Sequence, residues 1–90
     1  MKREKLLEHL ESAAAAISVK VSYETMTSSV GRGGLCRVKS QLRVIIDRRA
    51  TTQERLATLA ESLSRLDTTG VDMVPEERQV VDYYSIRRAS

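Results

Sequence analysis

The side chains in this chain that could do chemistry are few. There is one histidine, His9, and one cysteine, Cys36. A zinc site takes three or four ligands from His, Cys and carboxylates, and these two residues with scattered acids do not form such a set. A Ser-His-Asp relay would have to use His9, and nothing places a nucleophile beside it. His9 stands among Lys5, Glu8 and Glu11 and reads as a surface histidine. Cys36 alternates with Leu35 and Arg37 and shares a face with Val38, the pattern of an inert buried thiol. Activation would need a nearby cation, and Arg37 points the other way. The glycines of GRGG, residues 31–34, suggest a phosphate cradle, but a P-loop continues into Lys-Ser/Thr and a helix, and here a strand-like run follows. RRAT at 48–51 and RRAS at 87–90 match a basophilic kinase consensus. Thr51 is better explained as a helix cap and Ser90 as tail. No metal and no cofactor is expected.

Charge is the second lead. The formal net charge is +3, unevenly spread. Within residues 24–50, Arg32, Arg37, Lys39, Arg43, Arg48 and Arg49 stand against Glu24 and Asp47. Within residues 51–82 the balance reverses, with Arg55, Arg65 and Arg78 against seven acids. A basic middle followed by an acidic part fits an electrostatic interaction surface, or two solvated faces that attract each other. The six basic residues of the middle are the candidate contacts for nucleic acid or an acidic partner. The only aromatics are Tyr23, Tyr83 and Tyr84, so base stacking as on single-strand platforms is not expected.

The elements that would position these residues are legible in the periodicity. Leu6, Leu7, Leu10, Ala13, Ala14 and Ile17 recur at helical spacing, which predicts a first helix over residues 2–16. Ile17, Val19, Val21 and Tyr23 then alternate with Ser18, Lys20, Ser22 and Glu24, the period of a strand with one wet face. Residues 25–34 are rich in Ser, Thr and Gly and read as a loop. LCRVK (35–39) and LRVIID (42–47) read as a hairpin that turns at Ser40-Gln41. Thr51-x-x-Glu54 is a capping box that opens a second helix. Leu56, Leu59, Ala60, Leu63 and Leu66 form its apolar stripe. Gly70 ends that segment. Pro75, followed by Glu76 and Glu77, opens a third helix whose Val80, Val81 and Tyr84 face inward.

The expected fold class is α+β, in the order α-β-β-β-α-α, with a three-stranded, mainly antiparallel sheet and helices packed on one face. The other sheet face would carry Lys20, Ser22, Glu24, Arg37, Lys39, Arg43 and Ile45. Ninety residues make one domain, placed at 1–86 with a disordered tail at 87–90. A core built of Leu, Val, Ile and Ala at this size gives modest stability, which a dimer interface would raise. There is no apolar run of about 18 residues, so no membrane span is expected. The acids at 4, 8 and 11 break any signal-peptide pattern. One cysteine permits no internal disulfide, and a cytoplasmic location is the expectation.

The run RVIIDRRATTQERLATLAESL, residues 43–63, resembles the core of the ImmA/IrrE-type metallopeptidase-like family. That family has a strand, a short loop and then a helix containing T-L-A-H-E-L-G-H. Thr58, Leu59, Ala60 and Leu63 match. Glu61 stands at the first histidine position, Ser62 at the catalytic glutamate and Arg65 at the second histidine. In the family the two histidines hold the metal and the glutamate polarises the bound water. A guanidinium stays protonated and cannot ligate, and Ser62 cannot serve as the base. The resemblance therefore implies a degenerate zincin-like domain without peptidase activity. The α-β-β-β-α order also looks like a double-stranded-RNA-binding domain, but the lysines that open that family's last helix are replaced here by TTQERLA. The functional expectation is a non-catalytic domain acting through association with itself or a protein partner. The alternative is nucleic-acid binding by a basic hairpin and sheet face.

Overall fold

A computed structural model describes residues 1–25 and 33–89, with side chains as far as Arg87. The order is α1 (Arg3–Ala16), β1 (Lys20–Glu24), β2 (Gly34–Val38), β3 (Gln41–Asp47), α2 (Thr52–Ser64) and α3 (Pro75–Ala89). The α+β class and the element order are as the periodicity predicts. α3 runs as far as Ala89.

The sheet corrects the mainly antiparallel expectation. It is mixed, with strand order β1-β3-β2. β1 runs parallel to β3, with Val21 opposite Val44, while β2 runs antiparallel to β3, with Leu35 opposite Val44. The apolar run of β3 explains its central place, because a strand covered on both edges is the one best kept apolar. The connection 25–33 is long enough to step past one strand width, so β2 need not sit beside β1.

α1 ends at Ala16, as the periodicity predicts, and β1 begins at Lys20 rather than at Ile17. The backbone there closes a Schellman motif. The N–H of Val19 donates to the carbonyl of Ala14 at 2.9 Å, and that of Ser18 to Ala15 at 3.0 Å. Ser18 takes the left-handed position at φ 61°, a place that favours glycine.

The core gathers Leu7, Leu10, Ala13 and Ala14 from α1, Val44 and Ile46 from β3, Leu56, Leu59, Ala60 and Leu63 from α2, and Val81 from α3. α1 packs on α2 and on β1, α2 on β3 and β2, and α3 on the two other helices. Thr51 caps α2 with both arms of the box in place: Glu54 N–H donates to Oγ1 at 3.1 Å, and Thr51 N–H donates to the Glu54 carboxylate at 2.8 Å. Arg78 ties the α2–α3 connection down by donating to the Thr68 hydroxyl and carbonyl. Glu77 is buried at the start of α3, where it accepts from Val74 N–H and lies 3.8 Å from His9 of α1.

Candidate functional site

The turn between β2 and β3 decides which side chains share a face. It is centred on Lys39-Ser40, one residue earlier than expected, because both residues take positive φ (50° and 70°) and Val38 pairs with Gln41. Positive φ at both central positions is the signature of a type I′ hairpin, which suits the right-handed twist of the strands. This register turns β2 over relative to the expected arrangement. Leu35 and Arg37 pair with Val44 and Leu42, on the core side. Cys36 and Val38 therefore lie on the outer face, opposite Arg43 and Gln41. Arg37 leaves the outer set, and Cys36 is half-buried rather than inside the core. The physical reason is that the two-residue turn fixes the pairing, and Leu35, the larger apolar residue, takes the core side.

The six basic residues are not gathered into one patch. Arg32 lies outside the described residues. Lys39 is at the hairpin turn, while Arg48 and Arg49 follow the far end of β3, about 20 Å away by strand rise. Arg37 is exposed at the sheet edge on the core side. Arg43 stands mid-strand on the outer face, with Lys20 directly opposite on β1. Arg48 extends the β1–β3 ladder by donating its backbone N–H to Glu24 and its guanidinium to the Tyr23 carbonyl. Arg49 holds Asp47 through its backbone N–H at 2.9 Å and through its guanidinium. That backbone donation is the main cause holding the Asp47 carboxyl below its usual range. These last two arginines thus fasten the β3–α2 corner.

On α2, Glu61 and Arg65 face each other as an i,i+4 ion pair, with Arg65 Nη2 at 2.6 Å from the carboxylate. Ser62 is fully buried and donates to the Thr58 carbonyl at 2.7 Å. The Glu61 carboxylate is therefore engaged by Arg65. Among the described residues, no three His, Cys, Asp or Glu side chains come together as a metal cluster.

A cleft of about 640 Å³ opens at the carboxyl end of β3, bordered by Gly33, Ile46, Asp47, Arg49, Glu54 and Thr58. Its acids are engaged, Asp47 by Arg49 and Glu54 by the Thr51 N–H. Gly33 is required there, since a Cβ would collide with the Ile45 carbonyl. Behind the cleft, the Tyr23 hydroxyl donates to Glu11 and the Arg55 guanidinium lies 4.8 Å over the Tyr23 ring. Burial, then the Glu11 carboxylate, push the Tyr23 phenol up to about 12, with Arg55 pulling the other way.

Periodicity alone missed one feature, the arrangement of the outer sheet face in rows. Lys20, Arg43 and Cys36 form one row; Ser22, Ile45 and Gly34 the next; Glu24 and Asp47 the last. The strands that carry them were visible, but the parallel pairing of β1 with β3 was not. Comparison of the chain with protein-family models, curated proteins and solved structures finds no match. No helix among the described residues is long and apolar enough to cross a membrane.

Proposed function

We propose that this chain is a non-catalytic α+β domain that works by protein association, with a second copy or with another protein. In this reading the helices all cover one face of the sheet and leave the other as the working surface, in a cytoplasmic setting. The observation that carries it is the outer face itself. Lys20 lies directly opposite Arg43, and Glu24 directly opposite Asp47. Like charges opposite each other on neighbouring strands destabilise a sheet, so an isolated domain gains nothing from this arrangement. Val38 adds an exposed apolar side chain, 42% accessible, on the same face. The degenerate zincin-like ancestry belongs to this proposal, with the Glu61–Arg65 ion pair standing where a metal site would be.

Light scattering on the purified chain across a wide concentration range tests the association. A rising mass is expected, and a clean monomer at the highest concentration would count against it. Metal analysis tests the non-catalytic half, since tightly bound stoichiometric zinc would overturn it. A second reading, nucleic-acid binding, is favoured by Lys20 and Arg43 standing side by side. It requires binding to a duplex or single strand that falls steeply with added salt.

A further inference from the structure

We infer that the outer sheet face docks a second copy of this chain, the two sheets packed face to face about a twofold axis at Ile45. The inference rests on the association reading above and names its partner. An isologous interface must be self-complementary. The rows of the outer face meet that requirement, because the basic row and the acidic row lie one on each side of the Ser22–Ile45–Gly34 row. A twofold axis lying between the sheets, across the strands, reverses strand direction and keeps each strand over its equivalent. Centred on Ile45, it sets Lys20 against Glu24 of the second copy and Arg43 against Asp47 of the second copy. Ile45 then meets its own equivalent. Ser22 is small and Gly34 has no side chain, so the middle row is low enough for sheets about 10 Å apart.

The groups concerned are available. Among the described residues, neither the Lys20 nor the Arg43 side chain makes a hydrogen bond or ion pair. Among the described residues, the Glu24 carboxylate accepts from the Ser22 hydroxyl and makes no ion pair. Asp47 is shared with Arg49, which leaves Lys20–Glu24 the stronger of the two cross-contacts. A polyanion fits this face less well. A phosphate backbone following β1 and β3 away from Lys20 and Arg43 would meet Glu24 and Asp47 about 13 Å further on. Three short strands offer a footprint on the order of 300 Å² per copy by strand spacing. A standard interface uses about 800 Å² per partner, so the dimer is a weak one that depends on concentration and salt.

Sedimentation equilibrium of two charge-reversed variants, K20E/R43E and E24K/D47K, alone and mixed, tests this directly. Circular dichroism confirms that each is folded, and K20E with E24K replaces the pair if D47K disturbs the β3–α2 corner. The wild-type chain should dimerise. Each variant alone should dimerise at least about tenfold more weakly, and the equimolar mixture should recover the association as a heterodimer. A dimer indifferent to both variants would overturn the inference while leaving association through another surface standing. A wild-type chain that stays monomeric would overturn the inference and self-association together. Loss in both variants without recovery on mixing would also overturn it. So would a monomer whose affinity for a duplex oligonucleotide drops in K20E/R43E, which would favour the nucleic-acid reading.

Discussion

The two faces of β3 obey different rules. On one, Val44 and Ile46 are almost wholly shielded, packed among leucines of α1 and α2. On the other, Arg43, Ile45 and Asp47 are only half-buried, and two of the three carry charge beside a like charge on β1. The inner face follows from hydrophobic burial, which explains every residue on it. The outer face does not follow from the stability of one copy. Its charge rows are the observation on which the proposed association rests.

The sharpest way to break this contrast is to shorten one side chain on each face. Leu59→Ala opposes the inner face from α2 at a fully buried site and should lower unfolding free energy by about 2–5 kcal/mol. Ile45→Ala should cost the monomer less than about 1.5 kcal/mol while weakening the dimer. Denaturant titration at a concentration where the chain is monomeric reads both, and equal losses would erase the distinction.

The turn that assigns the faces offers the next test. Lys39 and Ser40 both hold a left-handed conformation that costs non-glycine residues roughly 1–2 kcal/mol each. K39N/S40G should therefore stabilise the fold by about 1–2 kcal/mol without altering the register. A chemical-denaturation midpoint that falls instead would show that the turn is of another kind. On the inner side, Thr51→Ala removes one arm of the capping box that starts α2 and should cost about 1 kcal/mol, read as a lower melting temperature.

The smallest expected effect concerns pH. Tyr23, at the rim of the inner face, has its phenol pushed up to about 12 by burial and by Glu11. The folded state thus prefers the neutral phenol more than the unfolded chain does. Its contribution is intact below about pH 10 and is lost as pH rises toward 12. The stability difference between wild type and Tyr23→Phe should be constant from pH 7 to 9 and should shrink above that. A difference that stays flat to pH 12 would mean that the Tyr23–Glu11 contact contributes nothing.

Much of the inner face was legible in the sequence. The stripe Leu56, Leu59, Ala60, Leu63 carries the helical period, and Thr51 with Glu54 announces the start of α2. Pro75 likewise marks the first residue of α3. The outer face was only half legible. The alternation in β1 placed Lys20, Ser22 and Glu24 together, but LCRV is apolar at Leu35, Cys36 and Val38, and periodicity cannot say which set turns inward. That choice is made by two residues of turn with positive φ, neither of them glycine or asparagine. The parallel pairing of β1 with β3 depends on a contact between strands separated by a whole hairpin arm, which no local pattern records. The end of α1 at Ala16 was legible, but the alternation through Ile17 and Val19 places the strand start three residues before Lys20. Charge in the sequence groups the basic residues together, yet the fold uses Arg48 and Arg49 to secure a corner, while among the described residues the Lys20 and Arg43 side chains make no ion pair.

The most direct measurement of the central claim is an isotope-filtered NOE experiment on a mixture of carbon-13-labelled and unlabelled chain. Two copies joined through the outer faces should give intermolecular contacts between the Ile45 methyl groups of the two chains, and between Lys20 and Glu24. Intermolecular contacts confined to the helices or to the β2 edge, with none at Ile45, would contradict it.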